Sequence, residues 1–208
     1  SSIEPNLITD EIISFVKTSS KFCNHFHIPM QSGDNEILKL MRRRYNREFY
    51  RDLINKLNEE IKDVGIGADV MTGFPGETEE HFRNTYDFIN SLPVSYLHVF
   101  SYSERKNTDS VEFKGRVDVR ERKNRSEILR NLSNKKKFDF YSKFSGTEQS
   151  VLFETRKDDD FIEGLTTNYI RVKIRASESE SQDFENKIMN VILDVPEGIK
   201  PVTVSEVL

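Results

Sequence analysis

The first hundred residues alternate between two patterns of apolar and polar positions. Three short apolar runs, at 22–30, 66–72 and 95–102, end in glycine or polar residues, as buried strands do. Between them, apolar side chains recur about every fourth position, as at Phe49 and Leu53, which indicates amphipathic helices. Strands joined by helices are typical of parallel βαβ units. The predicted fold class is therefore α/β, and both a partial TIM-type (βα) barrel with parallel strands and an open sheet fit the pattern.

The last third of the chain has a different pattern. Short segments rich in Val, Ile, Phe and Thr replace the helical period, and they predict a small five-stranded antiparallel β-barrel. The five segments are 150–154, 161–165, 168–175, 188–195 and 200–207. A heavily charged helical stretch precedes them. We therefore expect three parts: an α/β domain at 1–116, a connecting helix at 117–144 and the barrel at 145–208.

One joint between a strand and a helix carries the strongest local signal. The run at 69–82, D-V-M-T-G-F-P-G-E-T-E-E-H-F, passes from an apolar strand through glycines and a proline into a helix. Gly73 and Gly76 can adopt backbone angles closed to other residues, Pro75 stiffens the turn, and Thr78 is a good helix cap. In α/β proteins such joints line ligand sites, because small residues let a cofactor lie against the backbone. A tight turn kept small for packing fits the joint equally well.

A second local signal lies in the predicted barrel strand at 168–175. Its apolar residues alternate with Tyr169, Arg171, Lys173 and Arg175, so that one face is basic and carries an aromatic ring. Cations bind phosphates and aromatic rings stack on bases, which favours nucleic-acid binding. However, the segment from residue 146 onward holds 7 Lys and Arg against 13 Asp and Glu, so a merely solvated strand face is an alternative.

Composition narrows the classes of protein. With 208 residues and 36% hydrophobic residues, the chain can bury an ordinary globular core, and its net charge of −4 gives no global signal for nucleic acid. No apolar run approaches the roughly 20 residues of a spanning helix, and no signal peptide is visible, so we expect a cytoplasmic protein without a membrane partner. The single cysteine, Cys23, excludes an internal disulfide and a cysteine-only metal cluster held within the chain. We interpret it as a small core residue.

Three stretches together resemble a known family. H-I-P-M-Q-S-G-D-N-E-I-L-K-L-M-R-R-R-Y at 27–45, the run at 69–82, and L-H-V-F-S-Y-S-E-R-K-N-T at 97–108 resemble the radical SAM methylthiotransferases. The C-terminal segment resembles their TRAM domain, an OB-like RNA-binding barrel. L-H-V-F-S-Y and E-G-L-T-T-N-Y-I-R-V look most like the branch that acts on N6-threonylcarbamoyladenosine beside the tRNA anticodon. The branches that act on isopentenyladenosine or on a ribosomal protein stay open as alternatives.

The resemblance implies a transferase that uses radical chemistry. In this family a [4Fe-4S] cluster and S-adenosylmethionine generate a deoxyadenosyl radical, and a methylthio group is installed on the substrate. Family members hold that cluster through a C-x-x-x-C-x-x-C loop and a second cluster in an N-terminal domain, and this sequence contains neither. We therefore expect a fragment of a longer enzyme that is inactive alone, with no cluster ligand and no catalytic residue of its own.

The resemblance also assigns S-adenosylmethionine contacts to residues of this chain. Gln31 and Ser32 match polar groups that face the ribose, with a capped turn as the alternative. Arg43 matches a helix arginine that binds the methionyl carboxylate, with a solvated arginine run as the alternative. Glu4 matches a position facing the methionyl amine, or forms a surface ion pair. The adenine side is assigned to Val70, Thr72, Gly73, Phe74, Phe100 and Tyr102, with Val99 and Ser101 beside them on the last strand.

The TRAM-like segment is expected to bind the anticodon region of tRNA. The residues assigned to this contact are Asn168, Tyr169, Arg171, Lys173 and Arg175.

Other classes of function stay open. An RNA-binding module on a degenerate, non-catalytic α/β scaffold fits the same pattern, whereas an aldolase or lyase would need a catalytic Lys or paired acids, and Asp69 alone is a poor candidate. His25 and His27 share one strand face as a metal-binding pair would, but with no third ligand nearby we interpret them as packing residues. His81 and His98 carry no signal.

Overall fold

The computed structural model describes residues 2–105, 108–158, 161–176, 183–196 and 201–208, with only the backbone of 155–158. The chain divides into two compact units, which are described separately. The α/β unit comprises Ser1–Phe22 and Phe26–Lys136, and the barrel unit comprises Cys23–His25 and Lys137–Leu208. The division predicted at 116 and 144 stays a prediction.

The first sheet has three strands in the order β1–β2–β3: His25–His27, Gly65–Thr72 and Tyr96–Ser101. Strands β2 and β3 pair in parallel, and a parallel bridge between Gln31 and Val70 continues the pairing beyond β1. The helices are α1 Asp10–Thr18, α2 Asn35–Leu40, α3 Arg47–Glu60, α4 Glu79–Ser91 and α5 Val119–Ser142, with 3-10 turns at Pro5–Leu7 and Asp109–Glu112. The predicted α/β class with parallel strands is confirmed.

Helix starts follow local capping chemistry. The side chains of Thr9, Asn46 and Thr78 accept hydrogen bonds from main-chain N–H groups in the first turns of α1, α3 and α4. Each acceptor satisfies a donor that the helix itself leaves unpaired. At α4 the His81 ring completes a capping box by accepting from the Thr78 N–H. Helix α4 therefore begins at the cap that the sequence predicts, and α1 and α3 begin at caps of the same kind.

The two faces of β2 have different environments. Ile66, Ala68 and Val70 are fully buried in one apolar cluster with residues of α3 such as Ile54 and Leu57. Because successive side chains on a strand point to opposite faces, the intervening residues face away from this helix layer. One face of β2 therefore forms core, and the other carries the half-buried Asp69 and Met71.

Cys23 corrects one expectation. The apolar run begins at Phe22, but the strand begins only at His25, so that Cys23 lies in the preceding loop and is exposed. It is therefore not the predicted core residue, because apolar composition does not locate the first hydrogen-bonded residue of a strand.

The barrel unit contains β4 Glu148–Asp158, β5 Phe161–Thr166, β6 Arg171–Arg175, β7 Ile188–Asp194 and β8 Val202–Val207. They close in the order β4–β5–β6–β8–β7. Four pairs are antiparallel, but β6 and β8 run parallel. The predicted five-stranded barrel is confirmed, and its purely antiparallel character was wrong. Directions can alternate all the way round a closed ring only if the number of strands is even, so a five-stranded barrel must contain a parallel pair.

Apolar residues that alternate along the strands fill the barrel interior. Val151, Phe153, Val172, Val191 and Leu193 are buried in one cluster, while Arg171 on the opposite face of β6 is exposed.

In the part of the chain that the structure describes, no helix has the length and apolar character needed to cross a membrane.

Candidate functional site

The three segments predicted to bind a cofactor meet at the carboxyl edge of the first sheet. The Met71 N–H donates to the Gln31 carbonyl at 2.9 Å, and the Tyr102 N–H donates to the Thr72 carbonyl at 2.8 Å. Gln31 has a left-handed backbone with φ of 68°. In parallel α/β sheets this edge is where ligands bind. The fold thus brings together strand ends that are far apart in sequence.

A cavity of about 260 Å³ opens at this edge, within the α/β unit. Its lining residues are Leu40, Met41, Arg42, Arg43, Met71, Phe74, Thr108, Asp109, Ser110 and Phe113. The Phe74 ring meets those of Tyr102 and Phe113 edge-on, with centroids 5.5 and 6.0 Å away. The cavity therefore combines aromatic rings with Arg43 and with the Arg42–Asp109 ion pair, and this lining suits a ligand with an aromatic ring and a negative charge.

The N–H groups of the Arg43 guanidinium differ in their partners. Its Nη1 donates to Glu4 Oε1 at 3.2 Å, whereas its buried Nε has no hydrogen-bond acceptor among the described residues. A buried donor left unpaired costs roughly 1–3 kcal/mol, so an acceptor supplied by a ligand would stabilise it. A carboxylate matches the donor geometry of a guanidinium. Arg43 therefore fits the carboxylate-binding role that the sequence predicts.

The turn that carries Phe74 is fixed from within. Gly73 has φ of 75°, and its N–H donates to Glu77 Oε1 at 2.8 Å. The same carboxylate oxygen accepts from Arg125 Nη1 at 2.8 Å, and both side chains are buried. Burial raises the pKa of Glu77, against the lowering effect of its hydrogen bonds to Arg125 and Gly73. The G-F-P-G turn is thus tied to α5 by a buried ion pair.

A second arginine of α5 lies against the turn. The aliphatic stem of Arg122 occupies the space that a side chain at Gly73 would need. Its Nη1 donates to the Tyr102 carbonyl at 3.0 Å, and its Nη2 pairs with Glu104 at 2.7 Å. The hydrogen bond to Arg122 lowers the pKa of Glu104 to about 2. Arg122 therefore holds together the turn after β2 and the end of β3.

Sequence reasoning missed Glu77, Arg122 and Arg125. It interpreted 117–144 as a charged connecting helix, because charged residues outnumber apolar ones there. The two arginines are nevertheless buried. Nothing in the local pattern distinguishes them from the exposed cations of the same helix.

Three predicted cofactor residues point away from the cavity. The buried Ser32 hydroxyl is hydrogen-bonded to that of Thr85 at 3.2 Å, and the Thr72 hydroxyl to that of Ser126 at 2.7 Å. Val70 lies in the core on the same face of β2 as Thr72. Period-two alternation puts both on the helix side, whereas Met71 faces the other way. Their cofactor role stays a prediction.

The side chains of β3 also alternate between the two faces of the sheet. Phe100 is half exposed and pairs in register with Met71, so both lie on the face opposite the helices. Val99 packs against the main core, and the Ser101 hydroxyl is hydrogen-bonded to Ser126 at 2.7 Å. The Phe100 side chain therefore points away from α5. Tyr102, which directly follows β3, packs in one apolar cluster with Phe74.

The predicted RNA-binding residues lie on and beside β6, and acids accompany them. Arg171 Nη1 pairs with Glu163 at 2.8 Å and Glu154 at 3.1 Å, and Lys173 Nζ pairs with Glu163 at 3.0 Å. The hydrogen bonds to Lys173 and Arg171 lower the pKa of Glu163. The cations are therefore partly neutralised by neighbouring strands.

The remaining residues of this set have mixed environments. Tyr169 is 45% exposed, and its ring stacks on that of His25 with centroids 4.0 Å apart, so a base could stack only on its other face. The Arg175 guanidinium lies 5.8 Å from the centre of the Phe161 ring. Asn168 is buried and hydrogen-bonded to the Thr166 hydroxyl, which makes it a turn residue in this structure. Its predicted contact with RNA stays a prediction.

The Gly73 geometry generates a test. Gly73→Ala should destabilise the chain by about 2–5 kcal/mol, because a Cβ there combines left-handed strain with a collision against the anchored Arg122 stem. Gly146→Ala is the matched control, since Gly146 has φ of 72° with nothing within 4 Å of the added Cβ, and we expect only the strain of about 1–2 kcal/mol. Urea unfolding followed by circular dichroism measures both. Equal losses of stability in the two variants would show that the Arg122 side chain moves aside without cost, which would contradict this prediction.

Comparison with known proteins gives a family match for the N-terminal part of the chain. Residues 1–89 match the Radical SAM superfamily. Among solved structures, coproporphyrinogen III oxidase from Escherichia coli, a radical SAM enzyme, superposes with a TM-score of 0.55 at 18% identity, over 65% of this chain and 31% of that one. This similarity shows a shared fold, and it confirms the predicted fold class.

Curated relatives extend the comparison to most of the chain. The threonylcarbamoyladenosine tRNA methylthiotransferase MtaB of Bacillus subtilis is 38% identical over 92% of this chain and 42% of its own length. The enzyme of the same name from Aquifex aeolicus is 39% identical over 78% and 38%. The tRNA-2-methylthio-N(6)-dimethylallyladenosine synthase of Endomicrobium trichonymphae is 38% identical over 74% and 37%. The chain spans about two fifths of the length of these relatives. It is similar to these tRNA methylthiotransferases over most of its own length, and its residues 1–89 match the Radical SAM superfamily.

Proposed function

We propose that this chain is part of an enzyme that transfers a methylthio group to N6-threonylcarbamoyladenosine in tRNA. The observation that carries the proposal is the 38% identity, over 92% of the chain, to a relative named for that reaction. Relatives named for dimethylallyladenosine are 38% identical over 74% of the chain and 33% identical over 90% of it. Dimethylallyladenosine, the isopentenyl-type substrate, is therefore the second candidate.

The cavity at the sheet edge is the proposed site for S-adenosylmethionine. When bound with an iron–sulfur cluster, this cofactor supplies the carbon radical that abstracts hydrogen. Arg43 would bind the methionyl carboxylate through its unpaired Nε, while Glu4 orients the guanidinium. The Phe74 ring, supported by Tyr102, would form the apolar wall beside adenine and exclude water. Gln31 would offer its amide to the ribose hydroxyls.

The cluster needs ligands from outside this chain. A [4Fe-4S] cluster is held by cysteine thiolates, and the sequence has only Cys23. We therefore expect the 208-residue chain to show no iron–sulfur absorbance when purified alone. The whole enzyme would add the cluster-binding cysteines to the cofactor cavity described here.

The barrel is the proposed contact for the anticodon region of tRNA. The exposed Tyr169 lies two residues before β6, which carries the cations Arg171 and Lys173, and this group suits a base and its flanking phosphates. Glu163 limits this surface, because its single carboxylate pairs with both cations.

Analysis of tRNA nucleosides from cells that lack the full-length gene tests the proposed substrate. Mass spectrometry should show loss of 2-methylthio-N6-threonylcarbamoyladenosine and accumulation of the unthiolated nucleoside. Restoring the gene should restore the modified nucleoside. Loss of the methylthio group from dimethylallyladenosine instead would support the second candidate, and unchanged nucleosides would contradict both.

Arg43→Gln in the full-length protein tests the carboxylate contact. We expect S-adenosylmethionine binding to weaken about tenfold or more, because a hydrogen bond to a charged group contributes about 1.5–3 kcal/mol. Calorimetric titration of the cofactor measures the change. Arg44→Gln is the control, since Arg44 is the exposed neighbour in the same turn and does not line the cavity. Equal effects of the two substitutions would contradict the assignment.

Charge changes on the barrel test the RNA contact. Glu163→Gln should strengthen tRNA binding, because it removes the negative charge shared by Arg171 and Lys173. The double variant Arg171→Ala/Lys173→Ala should weaken binding and lower the slope of log affinity against log salt by about one for each lost phosphate contact. Filter binding at several salt concentrations measures both, with the exposed Arg130→Ala of α5 as the control. Opposite or absent shifts would exclude this face.

A further inference from the structure

Three potential metal ligands meet on the face of the first sheet opposite the helix layer. His27 Nε2 lies 2.7 Å from Asp69 Oδ1, and His98 Nδ1 lies 3.5 Å from the same oxygen. One ligand atom from each residue lies within 4.8 Å of the other two. Asp69 and His98 are also direct partners in the β2–β3 register. The main chain therefore fixes at least two of the three side by side.

The sequence alone does not reveal this cluster. His25 and His27 share one strand face, and no third ligand lies near them in the sequence. The structure instead supplies Asp69 and His98 from the two following strands. They lie 42 and 71 positions after His27 in the sequence, and parallel pairing brings them to one level of the sheet.

The cluster has a packed floor and an open side. The Tyr96 ring covers Gly67, where a Cβ would collide with it. The Tyr96 ring centre lies 5.3 Å from that of His98 and 6.4 Å from that of His27. The side chains of His27 and Asp69 are 13% and 18% exposed, whereas that of His98 is 54% exposed. Further ligands such as water can therefore approach from the solvent side.

Hydrogen bonding alone explains only one of the two contacts. The 2.7 Å contact between His27 and Asp69 is a good hydrogen bond. The 3.5 Å contact from His98 is longer than such bonds normally are. Two ligand atoms that each lie about 2.0–2.2 Å from one tetrahedral ion are roughly 3.3–3.6 Å apart, a range that includes this spacing. The His27–Asp69 pair would lengthen by about 0.6–0.9 Å to join the same ion.

We propose that His27, Asp69 and His98 bind a divalent first-row transition-metal ion, such as Zn²⁺ or Fe²⁺. Two imidazole nitrogens and one carboxylate oxygen are donors that suit these ions, and a set of three leaves coordination positions open. Asp69 lies two residues before Met71, and none of the three ligands lines the cofactor cavity. The metal site is thus distinct from the proposed S-adenosylmethionine site and does not depend on it.

Titration of the 208-residue chain, purified without a histidine tag and stripped with a chelator, tests this site. Co²⁺ serves as a coloured stand-in for Zn²⁺. We expect visible absorption bands that saturate at one Co²⁺ per chain and that disappear when Zn²⁺ is added. Absence of such bands, or bands that Zn²⁺ does not displace, would overturn the proposal.

Matched variants locate the site. Asp69→Asn and His98→Asn should each weaken Co²⁺ binding by more than the roughly 10–100-fold that loss of a residue supporting a metal ligand costs. His25→Asn is the control, because it removes a histidine of the same strand that is not in the cluster. Circular dichroism checks that each variant is folded. If Asp69→Asn unfolds, His98→Asn remains decisive because its side chain is largely exposed. Unchanged binding in His98→Asn, or an equal loss in His25→Asn, would refute the assignment.

Discussion

Parallel pairing around β2 is the constraint on which the α/β unit depends. Main-chain hydrogen bonds align Gln31 beside one edge of β2 and Tyr102 beside the other. Because parallel strands run in one direction, residues at equal heights come from segments tens of positions apart. The same register places two groups of side chains at different heights on the sheet. The cofactor cavity lies at the strand ends, and the histidine–aspartate cluster lies one pleat step further into the sheet.

The turn after β2 shows how a functional edge is kept rigid. A buried ion pair is expensive to desolvate, and it is tolerated when hydrogen bonds satisfy both partners. Glu77 meets that condition, since it accepts from the Gly73 N–H and from Arg125. Arg125 also donates to Glu121 at 2.9 Å. The first turns of α5 therefore hold the aromatic wall of the cavity in place, although the helix has the composition of a solvated connector.

Closure and charge together shape the barrel. A closed barrel of five strands must contain a parallel pair, and in this barrel that pair is β6 with β8. Neighbouring strands then place Glu154 and Glu163 beside the β6 cations. A strand that is basic in sequence becomes a surface of paired charges. Any polyanion that binds there must compete with these acids, which makes binding sensitive to changes at Glu163 as well as at the cations.

The sequence by itself determined the types of element, their order and several of their ends. Strand and helix periods are local, and a cap such as Thr78 acts within one helical turn, so a few neighbouring residues suffice to predict them. The G-F-P-G turn and the basic alternation on β6 were visible for the same reason. The five-stranded count was visible too, and closure alone would have required its parallel pair.

Only the tertiary structure decided which side chains meet. Arg43 and Glu4 are 39 positions apart, Arg125 and Glu77 48, and His27 and Asp69 42. Such pairs depend on strand register and on which face of β2 the helices cover. The helices cover the face of β2 that carries Val70 and Thr72, so these side chains are buried. Met71 and Asp69 lie on the other face. Local periodicity specifies that two faces exist, but packing over the whole unit decides which one is buried and which one carries chemistry.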